Sequence, residues 1–153
     1  MSMDFCFRIG KKCLDEEQIE DIIRDYFKCG NKLKKEDNRG NVVYSGFTEG
    51  NQLLLFFTAE RKPPYNAYES GILGRDYVSE QSIIISPDMS KRSPEMIKEI
   101  LRFFIYIQSR IDSDALVEGE YYDEICLITD EGVTWADNEL ISVSYTHLTL
   151  PTT

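Results

Sequence analysis

Carboxylates are the side chains of this sequence with the clearest potential for chemistry, and they dominate its last third. A pair of carboxylates can hydrolyse a glycosidic bond, one as acid and the other as base or nucleophile. No feature of the sequence places one of them in the water-poor pocket that a general acid needs. A small carboxylate-dependent enzyme therefore stays an alternative. Beyond Arg110 the chain has no lysine or arginine and ten acids, namely Asp112, Asp114, Glu118, Glu120, Asp123, Glu124, Asp130, Glu131, Asp137 and Glu139.

The other groups that enzymes use are missing or wrongly spaced. His147 is the only histidine, and it lies in the uncharged tail of residues 143–153, so the rest of the chain cannot form a Ser–His or Cys–His pair. There is no glycine-rich phosphate loop and no G-x-S-x-G motif. The four cysteines lack zinc-knuckle spacing, which predicts reduced, partly buried thiols. We expect a protein that is not an enzyme and that has no cofactor and no metal.

The charge distribution indicates the class of partner. The net charge of −10 lies entirely beyond Arg110. Such a surface repels nucleic acid and attracts basic proteins, although a solvated acidic edge that only keeps the protein soluble is an equal alternative. No apolar run approaches the roughly 20 residues of a membrane span, and the first residues lack the features of a signal peptide. We expect a cytoplasmic protein that binds neither nucleic acid nor membrane.

Two helices are predicted from capping and periodicity. Residues 93–111 give the stronger signal, with Ser93 as N-cap, Pro94 at the first position and an apolar arc too wide for a surface helix. This helix should lie buried across a sheet. The other helix begins after Asp15, which forms a capping box with Gln18, and ends near Gly30. Its narrower apolar face predicts a surface position.

Alternating and continuous apolar runs predict the strands. These runs are residues 4–9, 42–47, 52–59, 81–86, 124–129 and 133–135, and residues 115–117 fit the start of another. Residues 53–57 are all apolar, which favours a central strand covered on both faces. Residues 32–41 are polar and predict a loop. The result is one α+β domain, a mainly antiparallel sheet with two helices on one face, in the order β-α-β-β-β-α-β-β.

The last eleven residues, VSYTHLTLPTT, differ from the rest of the chain. They carry no charge and resemble a translated transposase mosaic-end sequencing adapter. The resemblance implies that residues 143–153 are not native and that the natural C-terminus is missing. We therefore expect the domain to span residues 1–142, and the tail to contribute nothing to the fold.

Residues 61–78 form the longest predicted connection and carry several tyrosines. Long loops are often functional, and exposed aromatic residues are typical of interfaces. The alternative is that the tyrosines fold back and cover a sheet edge. Together with the acidic hairpin, this loop defines a candidate contact face. Its acids would steer a basic partner and its tyrosines would supply buried contact area. The face comprises Glu118, Glu120, Tyr121, Tyr122, Asp123, Glu124, Tyr65, Tyr68 and Tyr77.

Four segments together resemble the small acidic immunity proteins of bacterial polymorphic-toxin and contact-dependent antagonism systems. They are the strand DFCFRI, the capped first helix, the segment FFTAERKPPYNAYES and the acidic hairpin EYYDEICLITDEGVTW. The resemblance implies a non-catalytic protein that binds and blocks one basic cognate toxin in the cytoplasm. It assigns no functional residue, because no diagnostic motif is shared. An acidic adaptor or structural domain stays open beside the small enzyme.

Overall fold

The computed structural model describes residues 4–27, 34–38, 41–47, 53–87, 94–119 and 123–136. In these ranges an eight-stranded sheet has the order β10-β9-β8-β1-β7-β4-β3-β2, and β5 and β6 form a separate two-stranded sheet. Every pairing is antiparallel, so the α+β class is confirmed. The elements are β1 (Phe5–Ile9), α1 (Glu16–Phe27), β2 (Lys34–Asn38), β3 (Asn41–Phe47), β4 (Leu53–Ala59), β5 (Ala67–Ser70), β6 (Arg75–Val78), β7 (Gln81–Pro87), α2 (Pro94–Gln108), β8 (Ala115–Glu118), β9 (Glu124–Thr129) and β10 (Gly132–Trp135).

Both helices pack on the same face of the large sheet, as predicted. Phe7 of β1 stacks on Phe104 of α2 with the ring centroids 5.0 Å apart, and Phe56 of β4 lies 5.5 Å from Phe27 of α1. The register from β1 through β7 to β4 places Phe7 and Phe56 on one side of the sheet. Apolar burial on this face is the main driving force for the fold. We call it the helix face.

The ends of the helices agree with the sequence where they are described. The Asp15 amide donates to Gln18 Oε1 at 2.9 Å, and the Gln18 amide donates to Asp15 Oδ1 at 2.8 Å. This is the predicted capping box, and it satisfies amides that the first turn leaves without helical partners. The other predicted caps, Ser93 and Gly30, lie outside the described residues, as does the tail of residues 143–153.

The opposite face of the sheet is covered over β1, β8 and β9 by the β5–β6 hairpin, so we call it the hairpin face. Tyr77 packs with Leu116 and Leu127, and Tyr68 packs against the same cluster. The predicted long loop at residues 61–78 is therefore wrong in part, because it contains a folded hairpin. The alternative, in which the tyrosines fold back, holds for Tyr68 and Tyr77, although they cover a face and not an edge.

Two other predictions about strands are corrected. The polar segment 32–41 contains β2, which pairs with β3 at the border of the described sheet. Backbone pairing needs no apolar pattern, so periodicity did not detect it. The strand at residues 53–57 was predicted to be covered on both faces, but Leu55 and Phe57 are only half-buried on the hairpin face. The fold thus contains the predicted elements in the predicted order, with β8 where residues 115–117 were expected to start a strand and with β2, β5 and β6 as additions.

Candidate functional site

Strand register gathers several acids at one end of the sheet. Ile9, the last residue of β1, pairs with Ala115 at the start of β8, and Ala115 pairs with Ile128 near the end of β9. The chain leaving β1, the turn entering β8 and the β9–β10 turn therefore meet at the same edge. The last residue of α2, Gln108, reaches this edge as well.

A cavity of about 660 Å³ lies where these segments meet and opens to solvent. Its walls carry four carboxylates, all on exposed residues, and one lysine ammonium group. The ammonium nitrogen of Lys11 lies 3.8 Å from Asp112 in an exposed ion pair, which contributes little stability. We call this region the acidic cavity. It is lined by Gly10, Lys11, Gln108, Asp112, Ser113, Asp114, Thr129, Asp130 and Glu131.

Two buried residues hold carboxylates of the acidic cavity in place. The side-chain amide of Gln108 donates to Asp130 Oδ1 at 2.9 Å and to the Ser113 carbonyl at 3.3 Å. The Tyr77 hydroxyl donates to Asp114 Oδ1 at 2.7 Å. Burial, followed by the interaction with Asp114, raises the pKa of Tyr77, so its hydroxyl remains a donor at neutral pH. Asp114 and Asp130 are therefore positioned from inside the fold.

Gly10 permits this arrangement by its size. A Cβ at this position would lie 3.1 Å from the Tyr77 hydroxyl, 3.2 Å from Ser113 Oγ and 3.3 Å from Asp114 Oδ1. These separations are tighter than most carbon–oxygen contacts in proteins, and the Tyr77 ring is already buried. A larger residue would have to displace the hydroxyl or the carboxylate.

Carboxylates also fix the β5–β6 hairpin to the sheet. Glu118 forms an ion pair of 2.8 Å with Arg8, whose guanidinium carbon lies 4.1 Å from the centroid of the Tyr68 ring. Glu124 accepts hydrogen bonds from the Ser70 hydroxyl and, at 3.1 Å, from the backbone amide of Ile72. With Tyr77 and Asp114, these contacts attach the hairpin at three points. Three acids of the charged segment thus serve to hold the hairpin on the sheet.

The residues of the predicted contact face therefore differ in their exposure, and some of them are buried. Glu118 was predicted to steer a partner from the surface, but it is only 5% exposed and paired with Arg8, so that prediction is wrong for this residue. Tyr77 is buried and Tyr68 half-buried, and neither is an exposed anchor. Asp123 is exposed, Glu124 is half-buried, and Tyr65 is 74% exposed.

The remaining predicted contact residues, Glu120, Tyr121 and Tyr122, lie outside the described residues. Their assignment to a contact face therefore stays a prediction. They follow β8 directly and precede β9, the two strands that carry Glu118 and Glu124.

Sequence reasoning missed the residues that shape the acidic cavity. Asp112, Asp114, Asp130 and Glu131 were counted as charges but not grouped, because only the β1–β8–β9 register brings them together. Gln108 was not singled out, although a glutamine on the apolar side of a buried helix is a signal for an interior hydrogen bond. A single glycine after a strand gave no indication of the close contacts that Gly10 makes.

The thiols and potential metal ligands add no reactive centre to the described part of the chain. Burial raises the pKa of Cys6 to about 11 and also raises the pKa of Cys126, so both thiols are protonated at neutral pH and poorly nucleophilic. Among the described residues, no group of three or more histidine, cysteine, aspartate or glutamate side chains is arranged to hold a metal ion.

No protein-family model, curated protein or solved structure matches the chain. Within the described ranges, neither helix has the length and apolar character needed to cross a membrane.

Proposed function

We propose that this chain is a non-catalytic binding protein of the immunity type, which occludes a basic protein toxin in the cytoplasm. The acidic cavity is the observation that carries the proposal. It brings four carboxylates and a single ammonium group around a solvent-open space. A lysine or arginine side chain of a partner has the charge to occupy such a site. The resemblance in layout to immunity proteins supports the same class.

The way the carboxylates are held supports recognition of a cation. Asp114 and Asp130 each accept an internal hydrogen bond that fixes their orientation. An ionised carboxylate has about four acceptor positions on its two oxygens, so the bond from Tyr77 leaves Asp114 with capacity for a ligand. A guanidinium group would gain charge-assisted hydrogen bonds without first ordering these acceptors. Asp112 and Glu131, which are also exposed, would act at longer range, mainly on the rate of association.

A small carboxylate-dependent enzyme is the second candidate, and the presence of several carboxylates around one cavity favours it. Its general acid would need a desolvated position. All four carboxylates of the cavity belong to exposed residues, which supports binding over catalysis. Turnover of aryl glycosides by the wild-type chain, abolished by Asp114→Asn, would favour the enzyme and count against the proposed function.

The decisive experiment removes charge from the cavity without disturbing the interior. The variant Asp112→Asn/Glu131→Gln loses two exposed carboxylates, while Glu17→Gln/Asp25→Asn loses the same charge from exposed positions of α1. The probe is the product of the gene adjacent to this one, and association rates are measured at low and high salt. We expect the cavity variant alone to associate more slowly at low salt, by several-fold, and the difference to shrink as salt screens the charges.

Two results would contradict the proposed function. If the two variants associate equally slowly, the acids act only through net charge, as in an adaptor whose acidity keeps it soluble. If the adjacent gene product is not bound by wild type at either salt concentration, the immunity assignment is wrong.

A further inference from the structure

The outer side of the β5–β6 hairpin presents two apolar residues that the fold does not use. Tyr65 is 74% exposed and Val78 is 54% exposed, and they are the exposed large apolar residues of the described part of the chain. Val78 pairs with Ala67, which is also exposed. Tyr65 lies two residues before Ala67, in the turn closed by the hydrogen bond from its amide to the Lys62 carbonyl. Ala67 and Val78 thus form a small apolar patch, and Tyr65 lies close to it along the chain.

Next to this patch lies a pair of like charges. Glu69 and Asp76 are directly opposite each other on β5 and β6, and both are exposed. Neither forms an ion pair with another described residue. Like charges at directly opposed positions of a sheet destabilise it. A cationic ligand bound between the two carboxylates would remove this repulsion.

The inner side of the hairpin makes the outer side a fixed platform. Successive side chains of a strand point to opposite faces, so Tyr68, Ser70 and Tyr77 face the sheet while Glu69, Asp76 and Val78 face outward. The inner residues are held by Arg8, Glu124 and Asp114 respectively. A ligand on the outer side would therefore meet a surface that is already ordered, which lowers the entropic cost of binding.

We propose that the outer face of the hairpin, defined by Tyr65, Ala67, Val78, Glu69 and Asp76, docks an extended basic segment of a protein partner. The apolar pair and the acidic pair are two positions apart along the strands, a distance of about 7 Å. An extended segment matches this spacing when a lysine or arginine stands two residues from an apolar side chain. The inference rests on the proposed function, which supplies the class of partner. It adds that the hairpin binds an extended basic segment of that partner.

Electrostatic complementarity favours a basic protein segment over a second copy of the chain, nucleic acid or an anionic membrane. A second copy of the chain would bring its own Glu69–Asp76 pair and a net charge of −10 onto the same surface, which opposes self-association. Nucleic acid and anionic membranes carry the same sign as the acidic pair and would gain nothing from it.

A random dodecapeptide display library is the probe for this surface. Peptides selected on the wild-type chain are measured against Tyr65→Ser, against Glu69→Gln/Asp76→Asn and against the cavity variant Asp112→Asn/Glu131→Gln. All these positions are exposed, and an unchanged circular dichroism spectrum and melting temperature verify that each variant folds. We expect a basic residue two positions from an apolar one in the selected peptides. Both hairpin variants should weaken binding about tenfold or more, and the cavity variant should not.

The other outcomes overturn the inference in distinguishable ways. Peptides that lose binding only to the cavity variant would leave the proposed function intact and remove the hairpin from it. Selected peptides that lack a basic residue two positions from an apolar one would show that the hairpin does not recognise this pattern. Failure to select any binder, or equal binding to every variant, would overturn the inference, while the association of the adjacent gene product with the wild-type chain decides the proposed function separately.

Discussion

The guanidinium of Arg8 and the carboxylate of Glu118 form an ion pair of 2.8 Å inside the protein, where each residue is 5% exposed. They lie on the adjacent strands β1 and β8. Arg8 also donates to Ser82 Oγ at 3.0 Å and lies against the ring of Tyr68. Burial acts to lower the pKa of Arg8, but Cys6 and Glu118 more than offset this, so the pKa is raised and the guanidinium stays charged.

Removing one member of this pair should be costly. Glu118→Gln leaves the charge of Arg8 buried without its counter-ion, and we expect the free energy of unfolding to fall by about 3–5 kcal/mol in urea titrations. The double variant Arg8→Met/Glu118→Leu leaves no buried charge and should lose less than Glu118→Gln alone. The control is Lys12→Gln, which breaks the exposed Lys12–Glu60 pair and should cost no more than about 1 kcal/mol. Equal losses for Glu118→Gln and Lys12→Gln would contradict the interpretation.

The raised pKa of Cys6 gives the stability a pH dependence in the alkaline range. Burial raises this pKa from 9.0 to about 11. As pH rises from about 9 to about 11, the unfolded chain loses the thiol proton before the folded chain does, so the unfolded state binds fewer protons and stability falls. Cys6→Ala should make the slope of unfolding free energy against pH shallower there, by up to about 1.4 kcal/mol per pH unit.

The matched control for this pH dependence is Cys13→Ala. The Cys13 side chain is only half-buried, and although burial also raises its pKa, the change in slope should be smaller. Only slopes are compared, because Cys6→Ala also removes buried volume. A slope unchanged by Cys6→Ala between pH 9 and 11 would show that its thiol does not titrate in this way.

Gly10→Ala tests how closely the cavity wall is packed. The new Cβ would lie 3.1 Å from the buried Tyr77 hydroxyl, and we expect a loss of about 1 kcal/mol in the free energy of unfolding, at the low end of overpacking costs. Gly71→Ala is the control, because its Cβ would meet only Glu124 Oε1 at an ordinary 3.5 Å. Tyr77→Phe combined with Gly10→Ala should lose less than the two separate losses added together, since the clashing oxygen is gone. Additive losses would mean that the two residues do not interact.

Two substitutions on α2 test which side of this helix packs in the core. Phe104 is fully buried and stacks on Phe7, so Phe104→Ala should create a cavity and cost about 3–5 kcal/mol. Arg102 is exposed, and Arg102→Ala should cost less than about 1 kcal/mol. Urea midpoints measure both. The same midpoint for the two variants would be inconsistent with this packing.

The sequence predicted those parts of the fold that depend on local patterns. The capping box of Asp15 and Gln18 and the buried α2 follow from spacing along the chain, and the structure agrees with both. The alternation of β1 correctly predicted a strand but indicated one buried face, whereas the structure buries both faces of β1. The β5–β6 hairpin was missed because Tyr68 and Tyr77 pack against residues far away in sequence. Short strands with mixed polar and aromatic residues give no periodic signal of their own.

The candidate site was less predictable for a related reason. Composition located the acids beyond Arg110 but could not distinguish an acid that faces solvent from one that serves the interior. Glu118 finds its counter-ion in Arg8, 110 residues away, and Glu124 finds its donors on the hairpin. Such pairings depend on strand order, which the sequence left open. The acids that face solvent at the acidic cavity were therefore recognised only after the β1–β8–β9 register was known.

Glu124 and its neighbour Asp123 should respond differently to the same substitution. Glu124 accepts hydrogen bonds from Ser70 and from the Ile72 amide, whereas Asp123 is exposed. Glu124→Ala removes one of the three attachments of the hairpin, so local opening should become more frequent. We expect faster hydrogen exchange at the Ile72 amide and faster tryptic cleavage after Arg75. Asp123→Ala removes the same charge one residue away and should change neither rate. If both variants gave wild-type rates, Glu124 would not hold the hairpin, and if both accelerated them equally, net charge rather than these hydrogen bonds would be responsible.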